Sequence, residues 1–219
     1  YRSGIELLLR ETSPLVGPGN GLQSPEETTV EAACRLSPLL DGHVLAVQGP
    51  PGAGKTYAGG QVICALKRQG LRVGGTAVSH KVIVNLLESA KSAAHEQGLT
   101  LAAAHKHSGQ YEGEWNIIRT DNYPKLRGQL ADGTVDVVGA TAWCWARPDF
   151  EQAVDVLIVD EAGQMTVGIV LAAAPAGKGL LLLGDPQQLE QPLQSSHPDG
   201  SEASALYHWL HGADTMPPD

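Results

Sequence analysis

Cysteine is scarce in this chain: Cys34, Cys64 and Cys144 are the three in 219 residues, and no two stand as a C-x-x-C pair. That excludes a zinc ribbon, a cysteine-held iron–sulfur cluster and a disulfide framework, and reads as reduced thiols in a cytoplasmic setting. No apolar run approaches the ~18 residues that cross a bilayer, and no charged-then-apolar signal segment opens the chain, so no membrane partner is expected. Internal repeats and low-complexity tracts are missing as well. Positive charge is nearly lacking from one end: residues 148–219 hold Lys178 alone against 11 acids, whereas residues 1–147 hold 14 Lys and Arg against 13 Asp and Glu. A net charge of −9 gives no general attraction to nucleic acid, whose affinity for proteins rests largely on phosphate neutralisation. Any nucleic-acid groove is therefore local and built from residues before 148.

With 42% hydrophobic residues the chain can build one large core or two small ones. Its first 25 residues, with Pro14, Gly17, Pro18, Gly19, Gly21 and Pro25, have no period and read as a linker or edge segment. Tyr1 in place of a Met suggests a piece of a longer polypeptide. Ser24-Pro25-Glu26-Glu27 has the chemistry of a helix start, with the helix running to about Leu36. Apolar runs at 44–47, 72–78, 99–104, 135–140, 154–159 and 180–183 alternate with helical periods at 55–68 and 81–95. This alternation predicts an α/β fold, a parallel sheet with helices on both faces. Residues 105–133 lack a clean period and read as a small inserted excursion; the domain proper is expected to span 26–219.

Three stretches carry chemistry. In Gly49-Pro-Pro-Gly-Ala-Gly-Lys-Thr56, an apolar strand runs into a phosphate loop and then a helix. Gly49, Gly52, Ala53 and Gly54 let backbone N–H groups face phosphate oxygens, Lys55 adds charge, Thr56 can ligate Mg²⁺, and Tyr57 follows at the nucleotide. Val154–Gln164 is a strand ending in Asp160-Glu161, which suits Asp160 to hold Mg²⁺ and Glu161 to orient or deprotonate the attacking water. Leu180–Leu189 is another buried strand ending in an acid and two amides, of which Gln188 can sense the γ-phosphate.

In that order the three stretches resemble motifs I, II and III of superfamily 1 helicases. Asp160-Glu161-Ala-Gly-Gln164 is similar to the branch of the nonsense-mediated-decay RNA helicase and the Okazaki-fragment nuclease-helicase, and to the helicase part of bacterial fusions with a RecB-type nuclease. The match runs from about residue 26 to 192. The resemblance implies the first RecA-like P-loop domain of an ATP-driven translocase on single-stranded DNA or RNA, moving 5′ to 3′. It assigns Lys55, Glu161 and Gln188 to catalysis, and Thr56 and Asp160 to Mg²⁺. Ser79, His80 and Lys81 fall at motif Ia and Thr141 at the next strand-contacting motif, although Ser79 and Lys81 also suit a plain helix start. The family's adenine-reading glutamine has no clear match, since Glu26 and Glu27 stand where it is sought. It further implies a second RecA-like domain in the parent chain, with arginine fingers worth ~10³–10⁵ in rate, and a possible N-terminal nuclease domain. Without that second domain the expectation is nucleotide binding with weak hydrolysis and no unwinding.

Other readings stay open at this point. Basic and aromatic residues in the excursion, among them His105, His107, Tyr111, Trp115 and Arg119, suit a single-strand surface or an ordinary packed insertion. His105 with His107, and His208 with His211, have metal-like spacing but no third ligand in sequence and read as structural. Trp143 and Trp145 read as packing residues. A P-loop kinase acting on a small molecule is the alternative enzyme, though residues 148–219 hold no arginine for a lid; a silent docking module is disfavoured by intact Lys55, Asp160 and Glu161.

Overall fold

The computed structural model describes residues 2–9, 22–186 and 203–210. Within them β1 (Val44–Gln48), β2 (Val73–Thr76), β3 (Ala103–Lys106), β4 (Ile117–Thr120), β5 (Val137–Gly139), β6 (Val154–Val159) and β7 (Gly177–Gly184) form one sheet. Its order is β1-β7-β6-β2-β5-β3-β4, and every neighbouring pair runs parallel. The helices are α1 (Arg2–Leu9), α2 (Thr29–Leu36), α3 (Lys55–Arg68), α4 (His80–Glu96), α5 (Tyr123–Ala131), α6 (Ala142–Trp145), α7 (Val167–Ala173) and α8 (Ala205–Trp209).

Strand side chains alternate between two cores. Leu45, Val47, Val156, Ile158, Leu181 and Leu183 pack with α2, α3 and α4; Val44, Ala46, Leu157, Val159, Leu180 and Leu182 pack with α1, α5, α6, α7 and α8. Strands covered on both faces must be apolar at every position, which is why β1, β6 and β7 read as continuous runs. Each such side chain contributes ~1.5–3 kcal/mol by leaving water. The expected RecA-like α/β architecture is thus the one found.

Three segments differ from the sequence reading. Residues 1–25 were expected as a linker or edge segment, yet Arg2–Leu9 is a helix with Ser3, Glu6 and Leu7 buried. The Glu6 carboxylate accepts the Val44 N–H at 3.0 Å and faces His43 Nδ1 at 3.3 Å, fastening α1 to the start of β1. A stripe only two turns long is hidden by the turn residues that follow it. The helix expected from about residue 26 begins at Thr29, where Thr28 and Glu31 form a capping box, while Glu27 is held by Arg35 at 2.6 Å instead. Finally, the excursion at 105–133 contains β4, which extends the sheet as an edge strand beyond β3, and α5 on the second face. Edge strands are half wet, so β4 carries one buried residue and no continuous apolar run.

Trp145 joins the middle of the sheet to its far half. It is fully buried, and its Nε1–H donates to the carbonyls of Gly75, in β2, at 3.2 Å and of Ala140, just past β5, at 3.1 Å. Phe150 meets its ring edge-on at 5.7 Å. Trp145→Ala is expected to cost about 3–5 kcal/mol, because it leaves a large cavity and removes both bonds. Trp145→Phe should cost less, since it removes the indole donor but Gly75 O keeps the Ala140 N–H at 2.9 Å; urea unfolding of both variants checks the order.

Candidate active site

The carboxyl ends of β1, β7 and β6 meet at one place, and the three sequence motifs lie there. After β1 the chain turns through Gly52 and Gly54, both at positive φ (80° and 83°), and Gly54 caps α3. Lys55 Nζ donates to the carbonyls of Gly49 and Pro50, the latter at 2.8 Å, so the ammonium lies against the loop rim. Ala53 N–H closes the turn on Pro50 O at 3.1 Å. Tyr57 points outward from the first turn of α3 and is 53% exposed.

β6 delivers Asp160 to this loop. Thr56 Oγ1 donates to Asp160 Oδ2 at 3.3 Å, although the two residues stand 104 positions apart in sequence. Asp160 is buried, and its other oxygen accepts the Glu161 N–H at 2.9 Å. Burial raises the proton affinity of both carboxyls; at Glu161 the charge of Asp160 adds to that, while Lys55 opposes it at both. Glu161 has φ 53°, a left-handed conformation rare outside glycine, and such strain gathers at functional sites. Two neighbouring acids with raised proton affinity, and a hydroxyl on one of them, form an oxygen donor set suited to a hard divalent cation such as Mg²⁺.

Close backbone contact holds the acidic turn in place. A Cβ on Gly163 would stand 2.2 Å from Asp185 O, and one on Gly184 would stand 2.8 Å from Gly163 N, so only glycine fits at either. Ala162 N–H donates to Leu183 O at 2.8 Å and Gly49 N–H to Gly184 O at 3.2 Å, which ties all three strand ends together. Gln188 lies outside the described residues, as do His211 and the whole segment from 187 to 202.

The other sequence candidates sit on the same edge, one step along the sheet. Ser79 caps α4, its Oγ accepting the Val82 N–H at 3.3 Å, so the plain helix-start reading accounts for that side chain. His80 and Lys81 follow and are exposed. Thr141 begins α6 but makes no side-chain cap, which leaves its hydroxyl available. Sequence reasoning missed Trp143: it was expected to pack, but it is 85% exposed beside Thr141, while Trp145 does pack. Spacing explains the difference, since two residues apart on a helical turn cannot share a face. Lys106 and Arg147 cover the Tyr123 ring at 4.3 and 4.2 Å, which puts two cations in the neighbourhood of this edge. Burial pushes the Cys34 thiol up to about 11 and Cys144 up to about 12, so neither is a nucleophile at neutral pH. Among the described residues no helix is long and apolar enough to cross a membrane.

One solved structure shares the fold. LlaGI, a Type ISP restriction-modification enzyme solved as a nuclease-deletion mutant in complex with a DNA substrate mimic, aligns with TM-score 0.51 and 16% identity over 82% of this chain. Arterivirus nonstructural protein 10, a helicase, aligns at 0.43 with DNA and 0.45 in a second crystal structure, each with 16% identity over 80% of the chain. The chain spans only 19% of LlaGI and 35% of the arterivirus protein. No curated protein is significantly similar in sequence. An AAA domain model matches residues 32–196, three quarters of the chain, with the phosphate loop, Asp160-Glu161 and the end of β7 inside it; the chain belongs to the AAA domain family of P-loop proteins.

Proposed function

We propose that this chain is the ATP-binding motor domain of a helicase that moves along single-stranded DNA or RNA. The observation that carries the reading is the division of one sheet edge. The loop after β1 and the acids after β6 come together at one end of it, while the chain after the neighbouring β2 and β5 carries exposed Lys81 and Trp143 and half-exposed Thr141. A small-molecule kinase would need an enclosed acceptor pocket where this open row lies.

Each residue's part follows from its chemistry. The loop from Gly49 to Thr56 cradles the β- and γ-phosphates, and Lys55 swings from the loop carbonyls to their charge. Thr56 and Asp160 would hold Mg²⁺, which when bound neutralises the phosphate oxygens. Glu161, with its proton affinity raised by burial and by Asp160, accepts or orients the proton of the attacking water. Gln188 serves as the γ-phosphate sensor. Trp143 offers a ring on which one base can stack, a contact blind to sequence. A second RecA-like domain supplies the arginines that complete hydrolysis, so the chain alone binds ATP better than it turns it over. The motif form favours the nonsense-mediated-decay and Okazaki branch, 5′ to 3′ movement, work in the cytoplasm, and a possible nuclease domain on the N-terminal side.

Mg·ATP at a hundred times its dissociation constant is expected to stabilise the chain by about 2.7 kcal/mol in thermal unfolding, and Lys55→Ala to abolish that gain. In the parent protein, single-stranded nucleic acid should stimulate hydrolysis, and Lys55→Ala should lower it at least ~100-fold. Hydrolysis that ignores nucleic acid and follows a small phosphate acceptor would refute the helicase reading. Trp143→Ala should weaken oligonucleotide binding about tenfold with ATP binding unchanged, read by fluorescence anisotropy.

A further inference from the structure

Three histidines that are far apart in sequence meet at the start of α4. His80 Nδ1 lies 3.0 Å from His105 Nε2, and the ring centres of His80, His105 and His107 are 5.1, 4.7 and 5.3 Å apart. His105 is fully buried at the end of β3, and its Nδ1 has no partner; the buried Nε of Arg119 on β4 has none either. Arg119 is held over the Tyr111 ring and bonded through Nη1 to the carbonyls of Gly109 and Gln110. A cavity of about 580 Å³ lined by His107, Tyr111, Trp115 and Arg119 opens beside the cluster.

Hydrogen bonding fixes the tautomers. His107 Nδ1 accepts the Gly109 N–H at 2.8 Å, so its proton sits on Nε2. Between His80 and His105, a donor on His105 Nε2 leaves a buried lone pair unmet, whereas the reverse leaves a buried N–H unmet, the rarer and costlier orphan. His105 therefore donates, and His80 too carries its proton on Nε2. The charges acting on this group are all of one sign: His107, Arg119 and Lys106 act on both His80 and His105. Burial first, then these neighbours, keep His105 neutral, down to about 3, and lower His80 as well. The nearby acids are engaged or peripheral, since Glu88 on α4 takes the Tyr111 hydroxyl at 2.5 Å and Asp121 lies on the cavity rim. Among the described residues no cluster has metal-binding geometry.

We infer that His80, His107 and Arg119 form a phosphodiester site for the single strand, backed by His105, whose grip tightens as a proton is taken up. The inference rests on the nucleic-acid reading above and adds residues from β3, β4 and the loop between them to the strand's path. An anion beside the cluster supplies the missing counter-charge and favours the imidazolium form. The added proton goes to the free Nδ1 of His105 while its Nε2 proton passes to His80 Nδ1; this leaves a buried N–H without a partner, a cost that keeps the cluster neutral until an anion supplies the counter-charge. His105 stays neutral and His80 faces the phosphate with a full charge.

The test is fluorescence anisotropy of a labelled oligothymidylate with the whole chain at constant ionic strength, from about pH 8 to about pH 6. Affinity is expected to rise about tenfold toward the acid end. His80→Asn and His107→Gln should each flatten the profile to about twofold or less, and Arg119→Gln should weaken binding throughout and reduce the salt slope by about one. His105→Gln should also flatten it, and the two surface variants decide the matter if that one does not fold. Oligonucleotide binding with a flat profile, or one equally steep in the His80 and His107 variants, overturns this site and leaves the helicase reading intact. Loss of binding on adding a chelator would make the cluster a metal centre and overturn it too. Stabilisation by inorganic phosphate with no effect on oligonucleotide affinity would assign the site to free phosphate. No binding of the oligonucleotide at any pH, with Mg·ATP still bound, refutes both readings.

Discussion

Backbone touching backbone at the carboxyl ends of β6 and β7 is the constraint on which the rest of this molecule depends. Gly163 and the Asp185 carbonyl leave no space for a methyl group between them, and Gly184 faces Gly163 N with as little room. That approach sets the position of the turn carrying Asp160 and Glu161. Through Gly49 N–H on Gly184 O it also sets where the phosphate loop begins. A hydroxyl on the first turn of α3 and a carboxylate one residue past β6, 104 positions apart, then come within 3.3 Å. Precision here comes from rigid elements and short-range exclusion, which is how a site that must act on a small, highly charged group is held.

Sheet order explains why two kinds of chemistry can share one edge. In a parallel sheet all carboxyl ends open on the same side, so neighbouring strands place their following loops next to one another. β6 lies between β7 and β2, with Asp160 N–H bonded to Thr76 O, and is therefore the seam between the phosphate half and the open half. α4 crosses the same seam on one face. It starts at His80 in the open half, and the Ser89 hydroxyl farther along it donates to the Thr56 carbonyl of the phosphate loop helix at 3.1 Å. Trp145 fastens β2 to β5 on the other face. The two halves are thus joined through one sheet and shared helices.

What the sequence revealed tracks how local each cause was. β6 and α3 were legible to the residue and β1 to within one, because full burial or a clean period leaves a signal in consecutive residues. The phosphate loop and Asp160-Glu161 were legible because backbone chemistry prescribes their letters. Less could be read where the cause lay far away in sequence. β4 is a strand because β3 offers it an edge, and α1 is buried because β1 accepts Glu6. The strand expected at 99–104 forms at 103–106, since Leu101 is buried without joining a ladder. The histidine cluster was invisible for the same reason: 25 residues separate His80 from His105, and only the β2-β5-β3 order makes them neighbours.

Charge completes the argument. A chain at −9 repels nucleic acid at long range, so the proposed reading requires capture at short range by groups whose charge is concentrated or conditional. On the proposed reading both features occur at the β2-β5-β3-β4 end, where the charges acting on His80 and His105 include those of Lys106, His107 and Arg119. The phosphate site obeys the opposite logic. There a buried carboxyl, Asp160, stands beside a half-buried one, Glu161, at an energetic cost that a bound cation and Lys55 can offset. One edge therefore holds an acidic pair awaiting a cation and a basic cluster awaiting an anion. The β6–β2 seam keeps the two from neutralising each other.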